Sequence, residues 1–422
     1  MRIHKKILKN GLRLITVPMK DTGTVTVLAL VEAGSKYESK KESGLSHFLE
    51  HMCFKGTIKR PQAIDISREL DSLGAQSNAF TSHEYTGYYA KGAAKHFPKL
   101  FDVVSDIYLN STLPAVELEK EKGVIVEEIN MYEDMPQRHV QDLFMELLYG
   151  DQPAGWSIAG TKESVRSFVQ EDFIAYKKNH YVPKATAIIV AGNIDEKKVK
   201  NIAEKIFGSV VSGKKKSKLK VIDVQTKPKI FLKEKKTDQI HFVLGVRSFN
   251  VHNKKSPATA LLASILAGGM SSRLFQKLRE EMGVCYYVRS FNDTYTDHGF
   301  FEISAGVDTK RFQEVISVIL TECKKLKDTP VTDEELTKVK EYVIGHQKIE
   351  LESSDAVAYY FGGQEILNRP LKTPEQVEKE IRAVTKAQIQ KIAQEIFIQK
   401  NLNLAAIGPK QDEKKLLSLL KF

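Results

Sequence analysis

Residues 44–57 read G-L-S-H-F-L-E-H-M-C-F-K-G-T, and among them stand His47, Glu50 and His51. On an α-helix, positions i, i+3 and i+4 share one face, so both imidazoles and the carboxylate point the same way. Two histidines one turn apart supply half of a catalytic zinc site, and a carboxylate beside them can activate water. The order H-x-x-E-H inverts the commoner H-E-x-x-H. Leu45, Phe48, Leu49 and Met52 make the remaining positions apolar, which predicts a packed helix that holds its ligands. Five residues also fit an ordinary amphipathic helix with two histidines. A third ligand decides between the two readings.

A zinc with two histidines takes one more protein ligand, usually a carboxylate, and keeps a position open. The acidic candidates lie in a helix expected over 114–147. Glu121 and Glu128 are seven apart, two turns on one face, while Glu127 lies on another. An acid on a helix is most often a solvated charge, so spacing alone does not choose among them.

The elements that must position these groups follow from periodicity. Residues 1–34 predict three strands, with a turn at Asn10-Gly11 and the third strand over 25–31. The zinc helix is expected at 44–55 and a second helix at 64–73, ending at Gly74. Two runs rich in β-formers, A-Q-S-N-A-F-T and E-Y-T-G-Y-Y-A, come next. Helices over 93–111 and 114–147 follow, then one over 162–178 with Thr161 as its cap, a strand over 185–191 and a helix over 195–207. The second half repeats this plan. It has a strand over 239–246, a helix over 256–267 ending at Gly268-Gly269, strands over 283–292 and 299–307, and helices over 309–327, 331–352 and 355–367. The helix at 256–267 carries no histidine, so no metal is expected there. Strands alternating with helix pairs predict an α+β fold, an α/β sandwich repeated in two similar domains of mixed, largely antiparallel sheet covered by helices. The domain division expected is 1–212 for the zinc-binding domain, 213–227 for a linker and 228–422 for its relative without metal.

Bulk properties narrow the function classes. At 422 residues there is core enough for two domains. With 42% hydrophobic and 28% charged residues and no apolar run of about 18, no membrane span is expected. The N-terminus has no apolar segment of the signal-peptide kind, which predicts a cytoplasmic protein. Cys53, Cys285 and Cys323 are too few for a disulfide framework. The net charge is +11, yet the lysines are spread, with one run at Lys214, Lys215, Lys216, Lys218 and Lys220. That run reads as a solvated linker, and no nucleic-acid partner is expected.

Taken together, H-F-L-E-H-M-C-F-K-G-T, S-N-A-F-T, E-K-G-V-I-V-E-E-I and S-S-R-L-F-Q-K-L-R-E-E-M-G-V-C-Y resemble the insulinase–pitrilysin zinc metallopeptidases, of the inverzincin pattern. The mitochondrial-processing-peptidase-like branch, including its bacterial-type members, is the nearest in character. The resemblance runs along nearly the whole chain. It implies one Zn2+ per chain on His47, His51 and Glu128, with Glu50 as general base and Glu121 supporting the site. It implies that Ser77, Asn78, Ala79, Phe80 and Thr81 form an edge strand that pairs with an extended peptide substrate. It implies that Arg279 and Tyr286 act on the scissile carbonyl, and that two halves close as a clamshell, so a chain with one pair of domains forms a homodimer. The reading is a zinc endopeptidase for unfolded peptides. Its alternatives are a processing peptidase for one protein and a subunit that holds peptides without cutting them.

Overall fold

The strand Thr24–Val31 is buried from Val25 onward, with Thr26 the one polar side chain among those seven residues. Such a strand must be covered on both faces. In the computed structural model, which describes residues 1–422, it is the middle of a sheet. The first repeat runs β1 (His4–Ile7), β2 (Arg13–Pro18), β3 (Thr24–Val31), α1 (Leu45–Cys53), α2 (Ala63–Ser72), β4 (Gln76–Thr81), β5 (Thr86–Ala93), α3 (Phe97–Asn110), α4 (Ala115–Asp134), α5 (Pro136–Tyr149), α6 (Lys162–Ser167), α7 (Gln170–His180), β6 (Thr186–Gly192) and α8 (Glu196–Phe207). The second runs β7 (Lys229–Glu234), β8 (Gln239–Ser248), α9 (Ser256–Ala267), a π-helical segment Phe275–Glu281, β9 (Cys285–Thr294), β10 (Gly299–Asp308), α10 (Phe312–Asp328), α11 (Asp333–Glu350), α12 (Ser354–Ile366), α13 (Pro374–Ala383), α14 (Lys386–Ile396), β11 (Asn403–Gly408) and α15 (Glu413–Leu419).

The strand orders are β1-β2-β6-β3-β5-β4 and β7-β11-β8-β10-β9. Apart from β1 they match position for position. In each sheet one pair is parallel, β2 with β6 and β7 with β11, and the other pairs are antiparallel. The repeat therefore extends to β11 and α15, beyond the last element expected from the sequence.

Two expected helices are corrected. The one over 114–147 is two helices, because Pro136 forces Met135 out of helical conformation (φ −100°, ψ 92°) and itself starts α5. The one over 162–178 breaks at Phe168 and Val169, both extended, where Asp172 Oδ2 accepts the Val169 N–H at 2.9 Å.

The contiguous domain division is corrected as well. One unit comprises 1–130, 156–219 and 348–374, the other 131–155, 220–347 and 375–422. The reason is an exchange of equivalent helices. In the first unit α12 lays Val357, Phe361 and Ile366 on Ile15, Val17 and Leu28 of the sheet. In the second, α5 lays Val140, Phe144 and Leu148 on Val243 and Ile407. Residues 209–228 contain no helix or strand, as a linker requires. Most of the segment is exposed, Lys214, Lys216 and Lys220 included, but two of its lysines turn inward. Lys215 pairs with Glu32, and Lys218 lies 3.3 Å from Glu84; both carboxylates are buried. No helix is long and apolar enough to cross a membrane.

Candidate metal centre and active site

The helix α1 forms because Leu45, Phe48, Leu49 and Met52 recur at helical spacing, and all four are buried. Its start is fixed in two ways. Gly44 takes a left-handed conformation (φ +95°), and a Cβ there would stand 2.7 Å from the Ala159 carbonyl oxygen. The buried Glu38 carboxylate accepts the N–H groups of Gly44 at 2.8 Å and Ser46 at 2.7 Å, two donors of the first turn. This acid lies outside the motif and was not anticipated.

The opposite face of α1 carries His47, Glu50 and His51. Across from it α4 presents Glu121 and Glu128. His47 Nε2 lies 3.6 Å and His51 Nε2 3.5 Å from Glu128 Oε2, and the three candidate ligand atoms all fall within 4.8 Å of one another. Tetrahedral ligands at about 2.1 Å from a zinc ion stand about 3.4 Å apart. Two imidazoles and a carboxylate at this spacing fit that ion. Glu127, on another face of α4, is exposed and is not part of the cluster.

His51 Nδ1 meets Glu121 Oε1 at 2.9 Å, and Lys55 Nζ holds Glu121 Oε2 at 2.5 Å. A carboxylate on the far ring nitrogen fixes the tautomer and orientation of a metal-binding histidine. Lys55 lies just past the end of α1, which closes at Cys53, so helical spacing does not explain its approach and nothing in the sequence pointed to it. Burial pushes His47 down to about 4, with His51 adding to the effect and Glu128 opposing it. His47 is thus the neutral imidazole that a metal needs, and its approach to Glu128 is not an ion pair. For His51 burial acts downward, but the bond to Glu121 and the charges of Glu128 and Glu50 prevail and raise it. Burial raises Glu121 as well, yet His51 and Lys55 together bring it below the usual carboxylate range.

Glu50 is raised, chiefly by burial. Its Oε2 accepts a 2.6 Å hydrogen bond from the Thr81 hydroxyl, so the last residue of β4 orients it. The sequence places Thr81 in the strand but gives no sign of this bond. Ser77–Thr81 lie in β4, which pairs only with β5 and forms the edge of its sheet. Arg279 and Tyr286 belong to the other unit, where they meet each other. Arg279 leaves the π-helical segment to stack 4.8 Å over the Tyr286 ring and to donate to the Tyr286 carbonyl. Tyr286 is 76% exposed, at the start of β9.

Residues 14–162 match the family model described as Insulinase (Peptidase family M16), and residues 167–343 match that described as Peptidase M16 inactive domain. A protein of Bacillus subtilis (strain 168), named an uncharacterized zinc protease, is 35% identical over 96% of this chain and 98% of its own. Another so named, from Streptomyces coelicolor, is 30% identical over 97% and 90%. The crystal structure of a protease from Helicobacter pylori shares the fold, with a TM-score of 0.90 at 24% identity over 97% and 99% of the two chains. The chain belongs to the insulinase family of zinc metallopeptidases.

Proposed function

We propose that this chain is a zinc endopeptidase that cuts unfolded peptides, with one zinc held by His47, His51 and Glu128. The observation that carries the reading is the convergence of those three ligands beside a buried, oriented Glu50. When bound, the ion supplies Lewis acidity, lowering the pKa of water and polarising a carbonyl. Glu50 takes the proton of the attacking water and passes it to the leaving amine. Thr81 keeps the carboxylate aimed, and Glu121 keeps His51 in its ligating tautomer. The substrate lies extended along the free edge of β4, bound through its main chain and selected by its side chains. Arg279 and Tyr286 stabilise the oxyanion that develops on the scissile carbonyl. The chain works as a homodimer in which the pair of one chain serves the zinc of the other, and enclosure restricts substrates to unfolded peptides.

The test combines zinc analysis with cleavage of a quenched peptide library. Wild type should hold one zinc and cut at many sites, and a chelator should stop it. Glu50→Gln should keep its zinc and lose about 10²-fold or more in kcat, whereas His51→Ala should lose metal and activity together. A folded Glu50→Gln protein without zinc, or with full activity, refutes the assignment.

A further inference from the structure

Lys218 stands in the segment whose sequence reads as solvated, yet its ammonium is enclosed. It lies 3.3 Å from Glu84 Oε1 and 5.4 Å over the ring of Tyr37. Glu84 belongs to the tight turn 82–85 between β4 and β5 and is 3% exposed. The same oxygen accepts a 3.0 Å hydrogen bond from Lys36, itself 1% exposed. The backbone of the turn is held by the same stretch. Ser35 N–H donates to the Ser82 carbonyl at 3.2 Å and Lys36 N–H to the His83 carbonyl at 2.8 Å. Ser35 Oγ meets His83 Nδ1 at 2.9 Å. The linking segment itself lies flush on this unit. Lys215 pairs with the buried Glu32, and Gly213 comes so near Val182 that a Cβ would stand 2.5 Å from its Cγ1.

A buried carboxylate is costly to leave without its partners. Here one partner is supplied by the stretch just before α1 and the other by the segment that joins the two repeats. The turn they hold begins right after Thr81, the last residue of the free edge of β4. We infer that Lys218 is a positioning residue for peptide cleavage: through Glu84 it fixes the turn that sets the free edge of β4. The inference rests on reading β4 as the substrate strand. Removing Lys218 leaves Glu84 with Lys36, so the fold survives while the edge loosens, and the loss falls on peptide binding.

The experiment uses the full chain as Lys218→Ala, Lys218→Arg and Ala79→Pro. It measures KM and kcat on a quenched peptide, zinc content, and deuterium exchange over 76–86. Lys218→Ala should raise KM about fivefold, the order of one partly buried ion pair. Zinc and kcat should hold, exchange over 76–86 should quicken, and Lys218→Arg should restore both KM and exchange. Unchanged exchange in Lys218→Ala overturns the inference whatever the activity. A loss of zinc in step with kcat overturns it too, since that marks general destabilisation. If Ala79→Pro raises KM and Lys218→Ala does not, the inference fails while the substrate strand stands. If neither changes KM, the substrate strand fails and takes the inference with it.

Discussion

Replacing Ala79 by proline separates the proposed peptide-binding role of the β4 edge from the stability of its sheet. Ser82 N–H donates to the Tyr85 carbonyl at 2.9 Å, so Ser82 and Tyr85 form a bonded pair that closes the hairpin. Bonded and non-bonded pairs alternate along an antiparallel ladder. Counting back through Thr81–Thr86 and Phe80–Gly87 makes Ala79–Tyr88 a non-bonded pair. The N–H and C=O of Ala79 therefore face the open edge. In accord with this, Ala79 N–H donates to the side chain of its own neighbour, Asn78 Oδ1, at 2.9 Å. Proline at 79 then removes no ladder bond to β5, and edge strands tolerate it. What disappears is one donor to an extended peptide, a net loss of about 0.5–1.5 kcal/mol, or about two- to tenfold in kcat/KM. The loss should appear in KM, with zinc content and melting temperature held. Phe80→Pro is the contrast: it removes a bond to β5 and disturbs the ring that packs on Tyr85 and Tyr359. That variant should lose stability first. Steady-state kinetics on a quenched peptide, with zinc analysis and a thermal melt of each variant, decide the matter. A folded, zinc-loaded Ala79→Pro protein with unchanged KM would refute the edge-strand reasoning.

Three other outcomes are expected. Glu121→Ala removes the partner of His51 Nδ1, and zinc affinity in a chelator competition should fall about 10–100-fold; unchanged affinity would show that the carboxylate does not support the ligand. Burial, with Asp293 adding to it, pushes the Glu302 carboxyl up to about 8 from an ordinary 4.5, so the folded protein keeps a proton that the unfolded chain releases between those values, and stability is lost as pH rises through that window. Glu302→Gln cannot ionise and should raise the melting temperature at about pH 8.5 but not at about pH 5; an equal shift at both would remove the linkage argument. Mixing inactive His47→Ala with inactive Tyr286→Phe should restore activity towards about a quarter of wild type, since half the dimers are mixed and each has one intact site, whereas no recovery with mixed dimers formed would show that the pair does not act across chains.

The shared face of His47 and His51 was legible because a helix fixes which side chains lie together, and α1 keeps that register. Glu128 was singled out from Glu121 and Glu127 only by the family resemblance, and the structure brings it to the two histidines. The bond from Thr81 to Glu50 was not, since a threonine in a strand gives no hint of what its hydroxyl will meet. The break at Met135 was present in the sequence as Pro136, which bars its predecessor from helix and starts α5, but the helix expected over 114–147 runs through it. Nor could the exchange of α5 and α12 be read, because an apolar stripe says that a helix is covered and not which sheet covers it. β7, K-I-F-L-K-E, was hidden by the lysines before it. Those lysines misled in a second way. A run of like charge is normally solvated, and only the fold reveals that Glu32 and Glu84 wait for two of its members.

The traded helices have a consequence for how the chain is born. The sheet of the first unit is threaded by β6, yet the helix that covers one of its faces emerges roughly 160 residues later. At about 5–20 residues per second, ribosomes take on the order of ten to thirty seconds to make that stretch. During this time Ile15, Val17, Leu28 and Leu30 present an uncovered oily surface on the nascent chain. A gene fragment ending in the linker would encode every proposed zinc ligand and still leave that surface bare. The catalytic half is thus not a cassette that can be cut out, and completion of synthesis is itself a step in its maturation.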